Sequence, residues 1–303
     1  MVDHQGCWIG IGGKRIEGKR IGEKMREGKR DDVEAGRGLI VKIVYSDKFE
    51  ERYHTNPVEG PDRARLSARE LQGYDFVEPE PASLEDVLRV HSPEHVELVR
   101  RKGMLEPALL AAGGACQAAE IALRGEAAFA LVRPPGHHAS ATTAWGMCYL
   151  NNVAVAVRKI EDRIEGKIGG RAGKVLIVDI DLHYGDGTVG IFRWDDGVKV
   201  ANIGAVDPGF DYLALDPAGY VGQVDKAVAG YDFELLAVSA GFDTYLLDWG
   251  GLLDLSDYRE IGRILREGAE DRCTGRRFAV LEGGYHQDLP LCIRSFVEGF
   301  GGR

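Results

Sequence analysis

The chain has 303 residues, 44% of them hydrophobic and 28% charged, so it is long enough and apolar enough to bury a substantial core. Lysine and arginine total 38 against 48 aspartates and glutamates, and the resulting charge of -10 argues against a nucleic-acid-binding surface over the whole protein. The five cysteines form no C-x-x-C pair, and no apolar run approaches the ~20 residues that a membrane span needs. We therefore expect a soluble, unsecreted protein of the reducing cytoplasm.

The N-terminal segment, residues 1–38, differs in composition from the rest of the chain. Residues 14–30 hold eight lysines and arginines against three glutamates, and Gly-Lys-Arg recurs at 13–15, 18–20 and 28–30. Because large apolar side chains are scarce here, the composition predicts a basic, solvated and disordered tail. The alternative is a tail that contacts nucleic acid or chromatin, which salt-sensitive DNA binding would support.

Residues 39–303 alternate short apolar runs with longer helical patterns. The first predicted strand is 39–45, and the first predicted helix is 63–72. Five more strands are predicted at 127–132, 174–180, 198–203, 235–239 and 278–281. Five more helices are predicted at 108–123, 152–164, 220–228, 257–270 and 290–299. Uninterrupted apolar strands are typical of a parallel sheet buried on both faces, so we predict one α/β domain over 39–303.

Polar residues cluster where the predicted strands end, which is the edge at which open α/β sheets bind ligands. Asp179, Asp181 and His183 alternate to one side of an extended backbone at the end of the third predicted strand. Asp243 follows the fifth predicted strand. Asp181, His183 and Asp243 would provide three protein ligands and an open fourth position, which is the pattern of catalytic zinc. A solvated loop with capping aspartates is the alternative for an isolated Asp-x-His.

Two adjacent histidines, His137 and His138, follow the second predicted strand on a loop bent by proline and glycine. Imidazoles ordinarily titrate near neutrality, which suits proton transfer, and Asp179 and Asp186 could orient one imidazole each. The alternative, to which we give equal weight, is a histidine pair on a surface loop with no catalytic role.

Glu282-Gly283-Gly284-Tyr285 follows the last predicted strand. Two glycines allow the backbone to approach a site closely, and the Tyr285 hydroxyl could donate to a developing oxyanion. An ordinary turn followed by a packing aromatic residue is the alternative for this motif alone.

Five short motifs occur together between residues 133 and 285. They are Arg-Pro-Pro-Gly-His-His at 133–138, Gly-Met-Cys-Tyr-Leu-Asn-Asn at 146–152, Asp-Ile-Asp-Leu-His-Tyr-Gly-Asp-Gly at 179–187, Gly-Phe-Asp at 241–243 and Glu-Gly-Gly-Tyr at 282–285. With this set the chain resembles the zinc-dependent histone deacetylase family, in particular its prokaryotic branch of acetylpolyamine amidohydrolases and acetoin-utilisation proteins. The resemblance implies a single-domain arginase/deacetylase fold with a central, mostly parallel sheet of about eight strands. It also implies hydrolysis of an N-acetyl amide to an amine and acetate.

The resemblance further implies roles for the polar residues at the strand ends. Zinc is expected on the three ligands named above, with iron as an alternative that the ligand set does not exclude. His137 pairs with Asp179 and His138 with Asp186, and His138 is expected to be the general base while His137 acts mainly through its charge. A structural potassium or sodium ion is expected at Asp179, with Asn202 as a further ligand.

Other residues are assigned to the substrate by the same resemblance. Tyr285 polarises the acetyl carbonyl opposite the metal, and the carbonyl of Gly146 steadies the substrate amide. Met147 stands where relatives have an aromatic channel wall, and Phe210 is the expected remaining wall aromatic. Arg63 matches an arginine beside the family's acetate-release cavity.

Two loops are shorter than the family pattern, one before the helix at 108–123 and one after Phe210. The aspartate with which relatives grip the substrate is missing from the first loop. A catalytically weak acetyl-amine-binding protein is therefore the alternative function. An arginase-type manganese hydrolase shares the fold, but the histidine pair together with Glu-Gly-Gly-Tyr fits deacetylases better. The expected substrates are acetyl-lysine in proteins or acetylated small amines such as polyamines.

Overall fold

The computed structural model describes residues 41–53, 55–164, 174–209 and 211–302. The predicted tail, 1–38, and the predicted wall residue Phe210 lie outside these ranges, so both expectations stay predictions. In the described part of the chain, no helix combines the length and apolar character needed to cross a membrane.

One sheet of seven parallel strands forms the centre of the described chain. The strands are β1 (Val41–Val44), β2 (Asp75–Val77), β3 (Ala127–Ala130), β4 (Val175–Asp179), β5 (Val198–Asn202), β6 (Leu235–Ala240) and β7 (Arg277–Leu281). Their spatial order is β2-β1-β3-β7-β6-β4-β5, and each pairing is parallel. Strands β3, β4, β6 and β7 are buried along their whole length, as continuous apolar runs require. The predicted α/β architecture is confirmed, with seven described strands where about eight were expected.

Nine α-helices cover the two faces of the sheet within the described ranges. They are α1 (Asp62–Glu70), α2 (Leu84–Leu88), α3 (Pro93–Arg101), α4 (Leu105–Leu123), α5 (Asn152–Ile160), α6 (Asp186–Phe192), α7 (Pro217–Ala229), α8 (Leu255–Cys273) and α9 (Leu289–Gly301). Six of them were predicted from the sequence, whereas α2, α3 and α6 were not. Helix α3 carried a readable signal, because Ser92 caps its N-terminus and Pro93 occupies the first turn.

The register of the central strands decides where the polar loops meet. Asp179 of β4 pairs with Ser239 of β6, Ser239 pairs with Val280 of β7, and Val280 pairs with Ala130 of β3. Four strands therefore end at the same level and in adjacent positions. The loops that follow them, which hold the candidate residues, converge at one edge of the sheet.

Candidate active site

Asp181, His183 and Asp243 lie together at the carboxyl ends of β4 and β6. One ligand-type atom from each residue lies within 4.8 Å of the other two. The Nδ1 atom of His183 is 3.1 Å from Asp181 Oδ1 and 3.0 Å from Asp243 Oδ2. Both carboxylates are buried, and the imidazole is half-buried. The structure thus brings together the three residues that the sequence proposed as metal ligands.

The chemistry of this group fits a divalent cation such as Zn²⁺. Burial, and then the neighbouring Asp181 carboxylate, raise the pKa of Asp243 to about 6. The Oδ2 atom of Asp243 is buried and accepts no well-directed hydrogen bond from the described residues, although His183 Nδ1 lies 3.0 Å from it. A buried carboxylate oxygen without a donor is costly unless a cation or a proton compensates it. Two carboxylates and one imidazole match the donors that zinc takes in a catalytic site with three protein ligands.

Backbone N–H groups fix the two carboxylates in place. Leu182 N–H donates to Asp243 Oδ1 over 2.9 Å, and Gly283 N–H donates to Asp181 Oδ2 over 2.8 Å. A Cβ atom at Gly283 would lie 2.6 Å from that same Asp181 oxygen. The first glycine of the Glu-Gly-Gly-Tyr motif is therefore required by its close approach to a candidate ligand.

Each of the two adjacent histidines contacts its own aspartate. His137 Nδ1 lies 3.1 Å from Asp179 Oδ2, and His138 Nδ1 lies 2.7 Å from Asp186 Oδ1. All but Asp186 are buried, since the Asp186 side chain keeps 27% of its surface exposed. The surface-loop alternative for the histidine pair is wrong, because both imidazoles are buried. The His137 ring lies beside Asp181, and the His138 ring lies beside His183.

The surroundings drive the two imidazoles to different charge states. Burial disfavours charge on His137, but the carboxylates of Asp181 and Asp179 outweigh it and raise its pKa well above the ordinary value. Burial and the adjacent His137 lower the pKa of His138 to about 4. His138 is therefore neutral near pH 7, and an Nδ1–H directed at Asp186 leaves its Nε2 as an acceptor.

Tyr285 reaches the same edge from the loop after β7. Its N–H donates to Asp248 Oδ2 over 2.6 Å. Its ring lies 4.4 Å from the ring of Trp249, and the Arg63 guanidinium lies 4.8 Å from its centroid. Burial raises the pKa of the Tyr285 phenol well above its usual range, so the hydroxyl keeps its proton and can donate.

Arg63 borders this tyrosine. It donates from Nε to the Gly284 carbonyl over 2.8 Å, donates to the Glu282 carbonyl, and pairs with Glu59 over 3.2 Å. Arg63 and Tyr285 both line a cavity of about 550 Å³.

The remaining predicted residues differ in how directly they reach the site. Asn202 Oδ1 accepts from Gly185 N–H over 2.8 Å. A Cβ atom at Gly185 would lie 2.2 Å from Asp179 Oδ2. The side chains of Asn202 and Asp179 therefore approach the same glycine. Gly146 adopts φ +59°, and a Cβ there would lie 2.4 Å from His138 Cδ2. Met147 is half-buried beside it, also with positive φ.

The buried carboxylate of Glu282 forms a structural link that was not predicted from the sequence. Glu282 Oε2 accepts from the N–H groups of Gly136 over 2.7 Å and His137 over 3.1 Å. It therefore ties the tyrosine loop to the loop that carries both histidines. A glutamate at the end of an otherwise apolar strand was the signal that could have identified it.

Two tryptophans beside the candidate groups were also missed. Trp145 stacks on His138 with ring centroids 3.8 Å apart, and Trp249 meets the His183 ring edge-on at 5.9 Å in addition to its contact with Tyr285. Trp145 immediately precedes the motif at 146–152, which was the available signal.

Sequence comparison relates the chain to known proteins. The histone deacetylase domain model matches residues 58–210. A probable deacetylase of Archaeoglobus fulgidus is 35% identical over 87% of each chain. A probable deacetylase of Methanothermobacter thermautotrophicus is 32% identical over 86% of this chain and 90% of its own.

The fold has a counterpart among solved structures. The crystal structure of the HDA15 HD domain matches with a TM-score of 0.72 over 87% of this chain and 89% of that chain, at 24% identity. This likeness identifies the predicted arginase/deacetylase fold. On the sequence matches, the chain belongs to the histone deacetylase family and is an enzyme that hydrolyses acetyl amides.

Proposed function

We propose that the protein releases acetate and a free amine from N-acetyl amides at a metal ion held by Asp181, His183 and Asp243. The observation that carries this proposal is the meeting of three groups at one sheet edge. These are the buried ligand set, the two histidine–aspartate pairs, and a protonated tyrosine. A protein that only binds acetyl amines would not need all three, so this arrangement favours turnover over the binding-only alternative.

The ligand set suits zinc, with iron as the alternative. Bound there, the metal would act as a Lewis acid towards the acetyl carbonyl and would make water more acidic. A structural potassium or sodium ion at Asp179 and Asn202 is part of the proposal. The approach of both side chains to Gly185 supports it.

His138 is the proposed general base and acid. Its Nε2 accepts a proton from the water whose oxygen attacks the acetyl carbon, while Asp186 holds the Nδ1–H. The same proton then passes from Nε2 to the amide nitrogen as the carbon–nitrogen bond breaks. The products are the free amine and acetic acid, which gives up its remaining acidic proton to become acetate, and His138 returns to its neutral form.

His137 and Tyr285 stabilise the negative charge that develops on the acetyl oxygen during this attack. The charged His137 acts through the field of its imidazolium, which Asp179 orients. The Tyr285 hydroxyl donates a hydrogen bond to the oxyanion. Acetate then leaves through the cavity of about 550 Å³ that Arg63 and Tyr285 line, where the guanidinium charge attracts it.

The proposed substrates are acetyl-lysine in proteins and acetylated small amines such as polyamines. The direct test is acetate release by metal-reconstituted protein from three compounds: an acetyl-lysine peptide, an acetylpolyamine and a neutral N-acetyl amide. We expect turnover of at least one amine-derived substrate and none by Asp181→Ala. Protein that binds metal and acetyl amines but releases no acetate would establish the binding-only alternative instead.

A further inference from the structure

Trp145 contacts both members of the pair formed by His138 and Asp186. Its indole ring stacks on the His138 imidazole, with centroids 3.8 Å apart and planes inclined by 28°. Its Nε1–H donates to Asp186 Oδ2 over 2.9 Å. The Trp145 side chain therefore contacts the face of the His138 imidazole. It also contacts the Asp186 oxygen that His138 does not use.

The second contact completes the hydrogen bonding of Asp186. His138 Nδ1 occupies Oδ1 and Trp145 Nε1 occupies Oδ2, so both carboxylate oxygens have a ring N–H partner. Asp186 needs such support because it is half-buried and water reaches its side chain. A carboxylate fixed at one oxygen can rotate about its Cβ–Cγ bond, whereas donors at both oxygens fix its plane.

The backbone around Trp145 holds the indole against the imidazole. Cys148 N–H donates to the Trp145 carbonyl over 3.0 Å, which closes a tight turn. Gly146 adopts φ +59° in that turn and lies so close to His138 that a Cβ atom would meet its Cδ2 at 2.4 Å. Because L side chains rarely adopt this conformation, only glycine lets the loop pass here without strain.

The loop is anchored again on its C-terminal side by two buried histidines. His91 Nε2 accepts from Asn151 N–H over 2.9 Å, and His95 Nε2 lies 2.8 Å from the Tyr149 carbonyl. The segment that carries Trp145 is thus tied to the fold beyond the turn, and the position of the indole is set by backbone contacts.

We propose that Trp145 is a positioning residue that fixes the plane of the His138 imidazole and the orientation of the Asp186 carboxylate. With both held, the Nδ1–H stays directed at Asp186 and the Nε2 atom faces the reacting centre. The inference rests on the proposed function, in which His138 transfers the proton. Trp145 acts through His138 and Asp186, and its loss should slow the chemical step more than it weakens substrate binding.

If Trp145 only lined the substrate channel, its replacement would behave differently. The loss of a substrate contact raises KM and leaves kcat unchanged. The 40% exposure of Trp145 allows for such a contact, so the two roles must be separated by kinetics. Trp145→Phe keeps a flat ring over His138 and removes the N–H. Trp145→Leu removes both contacts.

The matched control is Trp194, whose side chain is 87% exposed and belongs to none of the candidate groups. In metal-loaded protein we expect kcat to fall about 10-fold in Trp145→Phe and about 100-fold in Trp145→Leu, the range for partners that orient site residues. KM should stay within about twofold, and Trp194→Phe and Trp194→Leu should match the parent chain. An unchanged kcat in both Trp145 variants, or a rise confined to KM, would overturn the proposal.

A second arm tests whether Trp145 acts through Asp186. In an Asp186→Asn background, the further loss caused by Trp145→Phe should shrink from about 10-fold to below about twofold, because coupled residues are not additive. An equal loss in both backgrounds would assign Trp145 a general structural role and overturn the proposal. If Trp145→Leu fails to fold, as thermal unfolding would show, Trp145→Phe carries the test.

The third arm needs no turnover and no metal. The indole N–H resonance of Trp145, assigned by its loss in Trp145→Phe, should shift in Asp186→Asn, while that of Trp194 should not. A parent chain that releases no acetate would refute the proposed function. The indole resonance would still show whether Trp145 contacts Asp186. An unshifted Trp145 resonance would overturn the proposal.

Discussion

The imidazole rings of His137 and His138 lie 4.0 Å apart, and their pKa values are shifted in opposite directions. His137 is enclosed by Asp181 and Asp179, whose charges outweigh the cost of burial. Burial, and then the charge on His137, lower the pKa of His138 by more than the contact with Asp186 raises it, so His138 stays neutral. Two residues adjacent in sequence are thereby given different chemical roles by the loops packed against them.

Removing each imidazole should therefore have unequal consequences. His138→Ala removes the proposed base and acid, and we expect kcat to fall about 100- to 10,000-fold. His137→Ala removes a charge but no transferred proton, so its kcat should fall less. Steady-state kinetics on the best acetylated substrate checks this order, and a larger loss in His137→Ala would contradict the assignment of roles.

Tyr285→Phe should lower kcat about 100- to 1,000-fold, because it removes one oxyanion donor and keeps the ring between its neighbours. Metal affinity should not change, since Tyr285 is not among the proposed ligands. Kinetics together with metal titration separates these quantities. Unaltered kcat, or metal binding weakened in step with kcat, would show that the hydroxyl has another role.

Glu282 should make the stability of the protein depend on pH. Burial raises the pKa of Glu282 from 4.5 to about 7 in the folded chain. The folded state then binds more protons than the unfolded state between these values, so the free energy of unfolding should fall as pH rises from 4.5 to 7. Each pH unit in this window contributes about 1.4 kcal/mol at most, which gives a loss on the order of 3 kcal/mol.

Glu282→Gln is the matched variant for that prediction, because its amide keeps an acceptor for Gly136 and His137 but does not titrate. Denaturant unfolding at several pH values should show a flatter profile for Glu282→Gln, with the two proteins most different at the upper end of the window. Parallel profiles would mean that Glu282 does not titrate between these pH values.

Gly146→Ala should reduce activity with a smaller effect on fold stability. Its Cβ would meet His138 Cδ2 at 2.4 Å and would occupy a left-handed backbone position, so either the loop or the imidazole must shift. Gly190→Ala is a useful control, because a Cβ there meets nothing within 4 Å. Kinetics and thermal unfolding of both variants check this, and equal activities would contradict the proposed closeness of the loop to His138.

The sequence predicted the sheet and the ligand residues because both have local signals. Continuous apolar runs mark β3, β4, β6 and β7, and Asp181, His183 and Asp243 follow two of them directly. Strand β2 was missed because it has three residues and lies at the edge of the sheet, where apolar continuity is not needed.

The contacts that orient the site could not be predicted in the same way. Glu282 accepts from Gly136, 146 positions away, and Trp145 donates to Asp186, 41 positions away. No spacing rule relates such pairs, because their approach depends on strand order and register. The positive φ of Met147 is also a property of the folded loop and has no signal in its residue type.

The central claim is that acetate release needs a metal at Asp181, His183 and Asp243. The most direct measurement is acetate release by metal-stripped protein as Zn²⁺ or Fe²⁺ is added back, with Asp181→Ala measured in parallel. The account predicts that release rises with bound metal, saturates at one ion per chain, and is absent in Asp181→Ala despite a folded chain. Equal release by metal-stripped and metal-loaded protein, or by Asp181→Ala, would contradict it.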